Sequence, residues 1–111
     1  MPTRIIGRAV YPRNKNDLWA LNVFSRFLSQ GLQLYKIEDG HECAAFGFWL
    51  VSAGELSTHS IDFMIYRLHS MNAITRKQRK EMRLGAKQGL REAVRLGEGE
   101  ANERKLHIIW S

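Results

Sequence analysis

The predicted fold depends on one segment, LQLYKIEDGHECAAFGFWLV, which covers residues 32–51. Near its middle stands Asp39-Gly40, a strong signal for a two-residue hairpin turn because both residue types tolerate positive φ. The flanking runs, 32–37 and 41–51, are apolar enough to pair as strands. The segment therefore predicts a β-hairpin at the centre of the chain.

The second strand of this hairpin is apolar on both sides, which is typical of a central strand. Alternation places Phe46 and Phe48 on one face and Trp49 on the other. We expect the two phenylalanines in the core, because large aromatic side chains dominate cores. The other face can bind a ligand or a second copy of the chain, so a homodimer is one expectation, with Trp49 and Trp110 as candidate interface residues.

The chain upstream of this segment predicts one strand and one helix. Residues 4–11 are rich in β-branched side chains and end at a proline, which indicates a strand. Asn14 or Asn16 can cap a helix, and apolar residues then recur at helical spacing until Gly31, where glycine supplies a stop. We expect this helix to pack one face on a sheet.

The chain downstream predicts two helices and a last strand. Residues 57–72 place apolar side chains on one helical stripe, although alternation within them also permits a strand. We favour the helix because the pattern outlasts a typical strand. Thr75 and Gln78 have the spacing of a capping box, which starts the next helix. Residues 105–110 are a short apolar run and predict a strand.

The predicted order is strand, helix, strand, strand, a helical region and a strand. This order is that of the split βαβ arrangement of ferredoxin-like folds, an α+β class in which a four-stranded antiparallel sheet carries helices on one face. The chain has 111 residues, enough for one core but not for two. Residues 1–111 are therefore expected to form a single globular domain.

The net charge of +6 is concentrated in the helix that follows the capping box. Of the 17 basic residues in the chain, eight lie between residues 76 and 95, together with two of the 11 acidic ones. The rest of the chain holds nine of each sign and is balanced. The eight basic residues are Arg76, Lys77, Arg79, Lys80, Arg83, Lys87, Arg91 and Arg95.

Helical spacing sorts this segment into two sides of a helix about 30 Å long. Its packing side is small, because Gly85 and Gly89 join the apolar residues there. Each glycine costs about 1 kcal/mol relative to alanine in a helix interior, so we expect another element to approach closely. The apolar residues of the packing side are Met82, Ala86, Leu90 and Ala93. The opposite stripe, which we name the basic ridge, consists of Arg76, Lys80, Arg83, Lys87 and Arg91.

The basic ridge has few acidic neighbours, which favours an anionic partner. The first hypothesis is a small non-enzymatic nucleic-acid-binding protein that holds phosphates on the ridge. RNA or single-stranded DNA is slightly favoured, because the helix has few amide side chains for reading base edges. The interpretation that the basic ridge is only solvated and binds no partner has similar weight. The alternative function is a protein-binding module or inhibitor that docks on an acidic or nucleic-acid-binding protein, whereas a membrane is disfavoured because aromatic anchors are absent.

No pattern in the sequence indicates an enzyme, a cofactor or a metal. A phosphate-binding glycine loop and paired catalytic carboxylates are both missing. His41 and Cys43 would share one strand face, but no second pair completes four metal ligands. His59 and Asp62 lie close together beside two serines, although helix capping explains the serines equally well. We therefore predict no catalytic residues.

The cellular setting is predicted from the cysteine count and the apolar runs. One cysteine cannot form an internal disulfide, which fits a reducing compartment. The residues after Met1 lack the apolar stretch of a signal peptide. The longest uncharged apolar run, residues 44–51, is far shorter than the roughly 20 residues of a membrane span. We expect a cytoplasmic protein outside the membrane.

Overall fold

The computed structural model describes residues 3–35, 37, 40–52 and 56–96, and these residues are mainly helical. Their sheet has only two strands, which are antiparallel. The prediction of an α+β, ferredoxin-like fold with a four-stranded sheet is therefore wrong. The strand predicted over 105–110 lies outside the described residues. In chain order the elements are β1 (Thr3–Ile5), β2 (Arg8–Val10), α1 (Lys15–Arg26), α2 (Leu32–Tyr35), α3 (Glu42–Ser52), α4 (Thr58–Ser70) and α5 (Arg76–Leu96).

The single strand predicted over residues 4–11 is a tight hairpin of β1 and β2. Ile5 pairs with Arg8, so Ile6 and Gly7 alone form the turn. Both turn residues have positive φ, 48° and 78°, as a type I′ hairpin turn requires. A β-branched residue such as Ile6 rarely adopts this conformation. The sequence pattern consequently looks like one continuous strand.

Helix α1 begins where the sequence predicts and continues past its predicted end. The Asn14 side chain accepts a hydrogen bond from the Asp17 backbone N–H at 3.0 Å, which confirms the cap. The stop predicted at Gly31 is wrong, because α1 passes through a π-helical turn, Phe27–Gly31, into α2. A Cβ on Gly31 would lie 2.6 Å from Cδ1 of Phe27. Glycine here permits close packing on an aromatic ring.

The hairpin predicted across residues 32–51 is replaced by α2 and α3. Helix α3 is apolar nearly all round, so its sequence carries neither a helical nor a strand period. Phe46 and Phe48 are completely buried, which confirms their core assignment although they share no sheet face. Gly40 has a φ of 95° and donates its N–H to the Glu42 carboxylate at 2.8 Å. Its turn therefore leads into the start of a helix.

Helices α3 and α5 pack backbone against backbone along three glycines, Gly47, Gly85 and Gly89, which we name the glycine seam. A Cβ on Gly85 would lie 1.9 Å from the carbonyl oxygen of Ala44. A Cβ on Gly47 would lie 2.0 Å from that of Met82, and one on Gly89 would lie 2.7 Å from a carbonyl oxygen of α3. No side chain fits in these positions. The close approach predicted for the two glycines of α5 is confirmed.

Helix α5 begins at the capping box that the sequence predicts, and α4 has its N-cap at Ser57, one of the two serines that helix capping explains. Ser57 accepts a hydrogen bond from the Ser60 N–H at 3.2 Å, and α4 confirms helix over strand for residues 57–72. The capping box of α5 is complete. The Thr75 N–H donates to Oε1 of Gln78 at 2.8 Å, and the Gln78 N–H donates to Oγ1 of Thr75 at 3.1 Å.

A buried carboxylate joins α1 to α4 at the edge of the core. Asp17 has no exposed side-chain surface and accepts hydrogen bonds from the Arg13 N–H, the Arg13 side chain and Arg67. Burial raises the pKa of Asp17, but these hydrogen bonds more than offset it and hold the pKa below the ordinary 3.8. The carboxylate is therefore charged and fully partnered inside the protein.

Candidate nucleic-acid interface

The basic ridge is exposed along its whole length, since each of its five side chains reaches solvent. The glycine seam accounts for this, because it turns the small-residue side of α5 onto α3 and leaves the opposite side outward. From Arg76 to Arg91 the ridge extends about 22 Å, at a rise of about 1.5 Å per residue. The ridge is thus a continuous cationic surface on one helix.

Among the described residues, no carboxylate forms an ion pair within 4.0 Å with a cation of the ridge. In the part of the chain that the structure describes, the ion pairs within 4.0 Å join Asp17 to Arg13 and Arg67, away from α5. The ridge side chains therefore keep their donors for an external anion. Clustered charges of one sign raise the local concentration of polyanions, an effect that salt screens over about 8 Å at physiological ionic strength.

The three remaining basic residues predicted for the site differ in their availability. Lys77 is exposed beside the ridge. Arg79 is half-buried, and its Nη1 lies 3.1 Å from Nδ1 of His69 in α4, so this arginine already has a partner within the protein. Arg95 belongs to the last turn of α5. Lys77 extends the ridge, whereas Arg79 helps to hold α5 against α4.

Three exposed apolar side chains stand among these cations. Leu84 is 64% exposed, Leu90 45% and Val94 79%. The prediction that Leu90 lies on the packing side is wrong, because each step of four residues rotates the direction by about 40°. Two such steps from the buried Met82 bring Leu90 to the edge of the ridge. The same geometry places Val94 within the ridge, a signal present in the sequence.

A cleft of about 150 Å³ opens beside the ridge, between α3, α4 and α5. Sequence reasoning missed it, because its walls come from three separate helices. Its apolar walls are Val51, Ile61, Ala86 and Leu90, and its polar lining is Thr58, Asp62, Arg83 and Lys87. Asp62 thus stands opposite two cations of the ridge, whereas its sequence neighbour His59 is exposed and does not line the cleft.

Trp49, predicted at an interface, packs beside other aromatic rings. Trp49 is half-buried, with its ring centroid 5.5 Å from that of Phe27 and 6.1 Å from that of Phe46. The sheet face that was the reason to expect Trp49 at an interface does not exist, so its interface role stays a prediction. Trp110 lies outside the described residues. Helix α5 contains no aromatic residue.

The cysteine environment is that of a buried structural thiol. Cys43 is 2% exposed, and burial, with Glu42 and Glu81 nearby, raises the pKa of its thiol to about 12. His41 and Cys43 do not share a strand face, because this segment starts a helix. Over the described ranges, no group of three or more His, Cys, Asp or Glu side chains is placed to hold a metal ion. The described helices also include none with the length and apolar character to span a membrane.

Comparison with protein-family models, with curated proteins and with solved structures found no match to this chain. Its function is therefore inferred from the physical character of two adjacent features. These are the basic ridge and the cleft that shares Arg83 and Lys87 with it.

Proposed function

We propose that this protein is a non-enzymatic nucleic-acid-binding protein that holds the phosphate backbone on the basic ridge. The observation that carries the proposal is the row of five exposed cations, free of ion pairs within the described residues, on one face of α5. Arginine and lysine are the usual donors to phosphate oxygens. RNA and single-stranded DNA are the favoured ligands, and Lys77 with Arg95 extends the contact at the margins.

The proposal implies a steep dependence of affinity on salt. Each phosphate contact releases counterions, and for single strands the logarithm of the affinity falls by about 0.7 per contact for each decade of salt. Five contacts predict that a fourfold rise in salt weakens binding by about a hundredfold. A helix face that is merely solvated predicts no binding at either salt concentration.

The test is fluorescence anisotropy with labelled single-stranded RNA and DNA at low salt and at fourfold higher salt. The ridge variant combines Lys80→Glu, Arg83→Glu and Lys87→Glu, three exposed positions, and should lose binding to all sequences. The matched control combines Arg4→Glu, Lys15→Glu and Arg26→Glu, which are exposed cations outside α5. It changes the net charge equally.

Circular dichroism establishes that both charge variants keep their helices. The control is expected to retain much more affinity than the ridge variant, because it removes only long-range attraction. Equal losses in the two variants would show that net charge, and not the ridge, drives binding. A flat salt response in the wild-type protein would contradict the proposal.

A second candidate function is a protein-binding module or inhibitor that docks on an acidic or nucleic-acid-binding protein. The exposure of Leu84 and Val94 favours it, since nucleic-acid binding gives these side chains no role. The centre of a protein interface, by contrast, buries apolar side chains. An acidic partner with an apolar patch would cover both the cations of the ridge and these exposed apolar side chains.

The two functions respond differently to the double variant Leu84→Ser and Val94→Ser, which leaves every charge in place. Affinity for oligonucleotides should change by less than about twofold, because the electrostatic contacts persist. A protein that co-purifies with the tagged wild-type chain at high salt, but not with this variant, would support the second function.

Self-association through Trp49 stays a prediction, which sedimentation of Trp49→Ala tests. The lone free Cys43 supports a cytoplasmic location.

A further inference from the structure

The cleft beside the ridge has the size and lining of a site for one planar base. Its volume is about 150 Å³, and an apolar cavity of about this size binds benzene. Val51, Ile61 and Leu90 supply apolar walls. Arg83 and Lys87 stand at one side, where the ridge would hold a phosphate backbone. A group attached to that backbone is therefore close enough to enter.

We propose that this cleft accepts one unpaired nucleobase with an exocyclic amino group, cytosine, adenine or guanine, from a strand held on the ridge. The inference rests on the proposed function. Asp62 provides the selectivity, because an ionised carboxylate only accepts hydrogen bonds. The amino groups of cytosine, adenine and guanine donate, whereas thymine and uracil have no amino group, and their one base donor, N3–H, lies between two carbonyl oxygens that a carboxylate repels.

The position of Asp62 argues for a base and against a second phosphate. A carboxylate repels phosphate, so a site for phosphate alone would not place Asp62 opposite Arg83 and Lys87. Among the described residues Asp62 has no ion-pair partner within 4.0 Å, which leaves its oxygens available. Apolar walls commonly enclose a base that has left its stack. The cations would thus bind the phosphate of the nucleotide, and the carboxylate would bind the amino group of its base.

The occupant must come from a single strand or from an unpaired position. A base within a duplex is stacked between its neighbours and would have to be extruded, which costs a few kcal/mol. Helix α5 offers no aromatic side chain for stacking, so bases that lie along the ridge are held mainly through their backbone. Base preference should therefore arise at the cleft alone.

The test measures the affinity of oligo(dC), oligo(dA) and oligo(dT) of equal length, and of a blunt duplex, at neutral pH and one low salt concentration. Wild-type protein should bind oligo(dC) and oligo(dA) about threefold to tenfold more tightly than oligo(dT), the effect of one net hydrogen bond. Asp62→Asn should bring this ratio close to one, because an amide both donates and accepts. Leu90→Ala, which removes one wall, should weaken oligo(dC) binding more than duplex binding.

Glu81→Gln is the matched control, since it removes the same charge from α5 outside the cleft. It should leave the base ratio unchanged and alter duplex affinity as much as Asp62→Asn does. A wild-type ratio near one, or a ratio that survives Asp62→Asn, would overturn the cleft assignment while phosphate binding stands. Failure of every oligonucleotide and the duplex to bind at low salt would refute the proposed function, and the cleft assignment with it.

Discussion

Nε of Arg67 lies 2.8 Å from Oδ1 of Asp17, a carboxylate with no exposed surface, and this contact joins α4 to α1 across 50 residues of sequence. The second oxygen of Asp17 accepts from Nε of Arg13 at 3.1 Å. The two arginines differ in burial, with 55% of the Arg13 side chain exposed and 16% of the Arg67 side chain. The Asp17–Arg67 pair, which is the more buried of the two, therefore fixes how α1 and α4 pack against each other.

Asp17→Asn should destabilise the protein strongly. The substitution leaves the guanidinium of Arg67 without a counter-charge, and breaking a buried pair in this way costs about 3–5 kcal/mol. Arg13→Ala removes only the exposed partner and should cost less than about 1 kcal/mol. Urea denaturation measures both free energies of unfolding. Similar losses in the two variants would contradict the dominance of the Arg67 contact.

The same carboxylate should make stability depend on acid pH. Because the pKa of Asp17 is lower in the folded protein than the ordinary 3.8, ionised Asp17 stabilises the fold. That contribution is complete above about pH 4, near the unfolded pKa, and is lost as the pH falls through the folded pKa. The difference in unfolding free energy between wild type and Asp17→Asn should therefore shrink below about pH 4. A difference independent of pH would refute this origin.

Alanine substitutions in the glycine seam should destabilise in the order of their contacts. Gly85→Ala and Gly47→Ala place a Cβ about 2 Å from a backbone oxygen and should each cost about 1–3 kcal/mol or more. Gly89→Ala, with 2.7 Å of room, should cost less. Thermal unfolding followed by circular dichroism gives the order. A stabilising Gly85→Ala, as helix propensity alone would give by about 1 kcal/mol, would mean that the helices separate easily.

Cys43 should resist alkylation in the folded protein. A raised thiol pKa of about 12 and 2% exposure leave little accessible thiolate at mildly alkaline pH. Mass spectrometry after iodoacetamide treatment should show slow modification of native protein and complete modification in concentrated guanidinium chloride. Rapid labelling of the native protein would place Cys43 outside the core.

The elements that the sequence predicts correctly depend on local rules. Asn14, Ser57 and the Thr75–Gln78 pair cap helices through hydrogen bonds that span three residues, so their spacing alone identifies them. The basic ridge follows from helical periodicity in the same way. The exposure of the ridge needs one more fact, namely that the opposite side of α5 is occupied.

The elements that the sequence does not predict depend on contacts between distant residues. Helix α3 is buried almost all round by its neighbours, which removes the polar stripe that would reveal its period. Asp39-Gly40 matches the pattern of a hairpin turn. The packing of Gly47 on α5, in the helix that replaces this hairpin, has no local pattern in the sequence. Asp17 and Arg67, 50 residues apart, carry no local signal of their pairing. The cleft is equally non-local, since three helices build it.

The glycine seam also determines how the protein can respond to a ligand. Where the backbone of α5 rests on that of α3, no side chain between them can change rotamer and let the helix slide. The Cα atoms of cations four residues apart are consequently held about 6 Å apart along the helix axis. Under the proposed function, a flexible strand would have to adjust its own curvature to this spacing. For ligands of the same base composition, differences in affinity would then depend on how readily each of them bends, and little on adaptation of the protein.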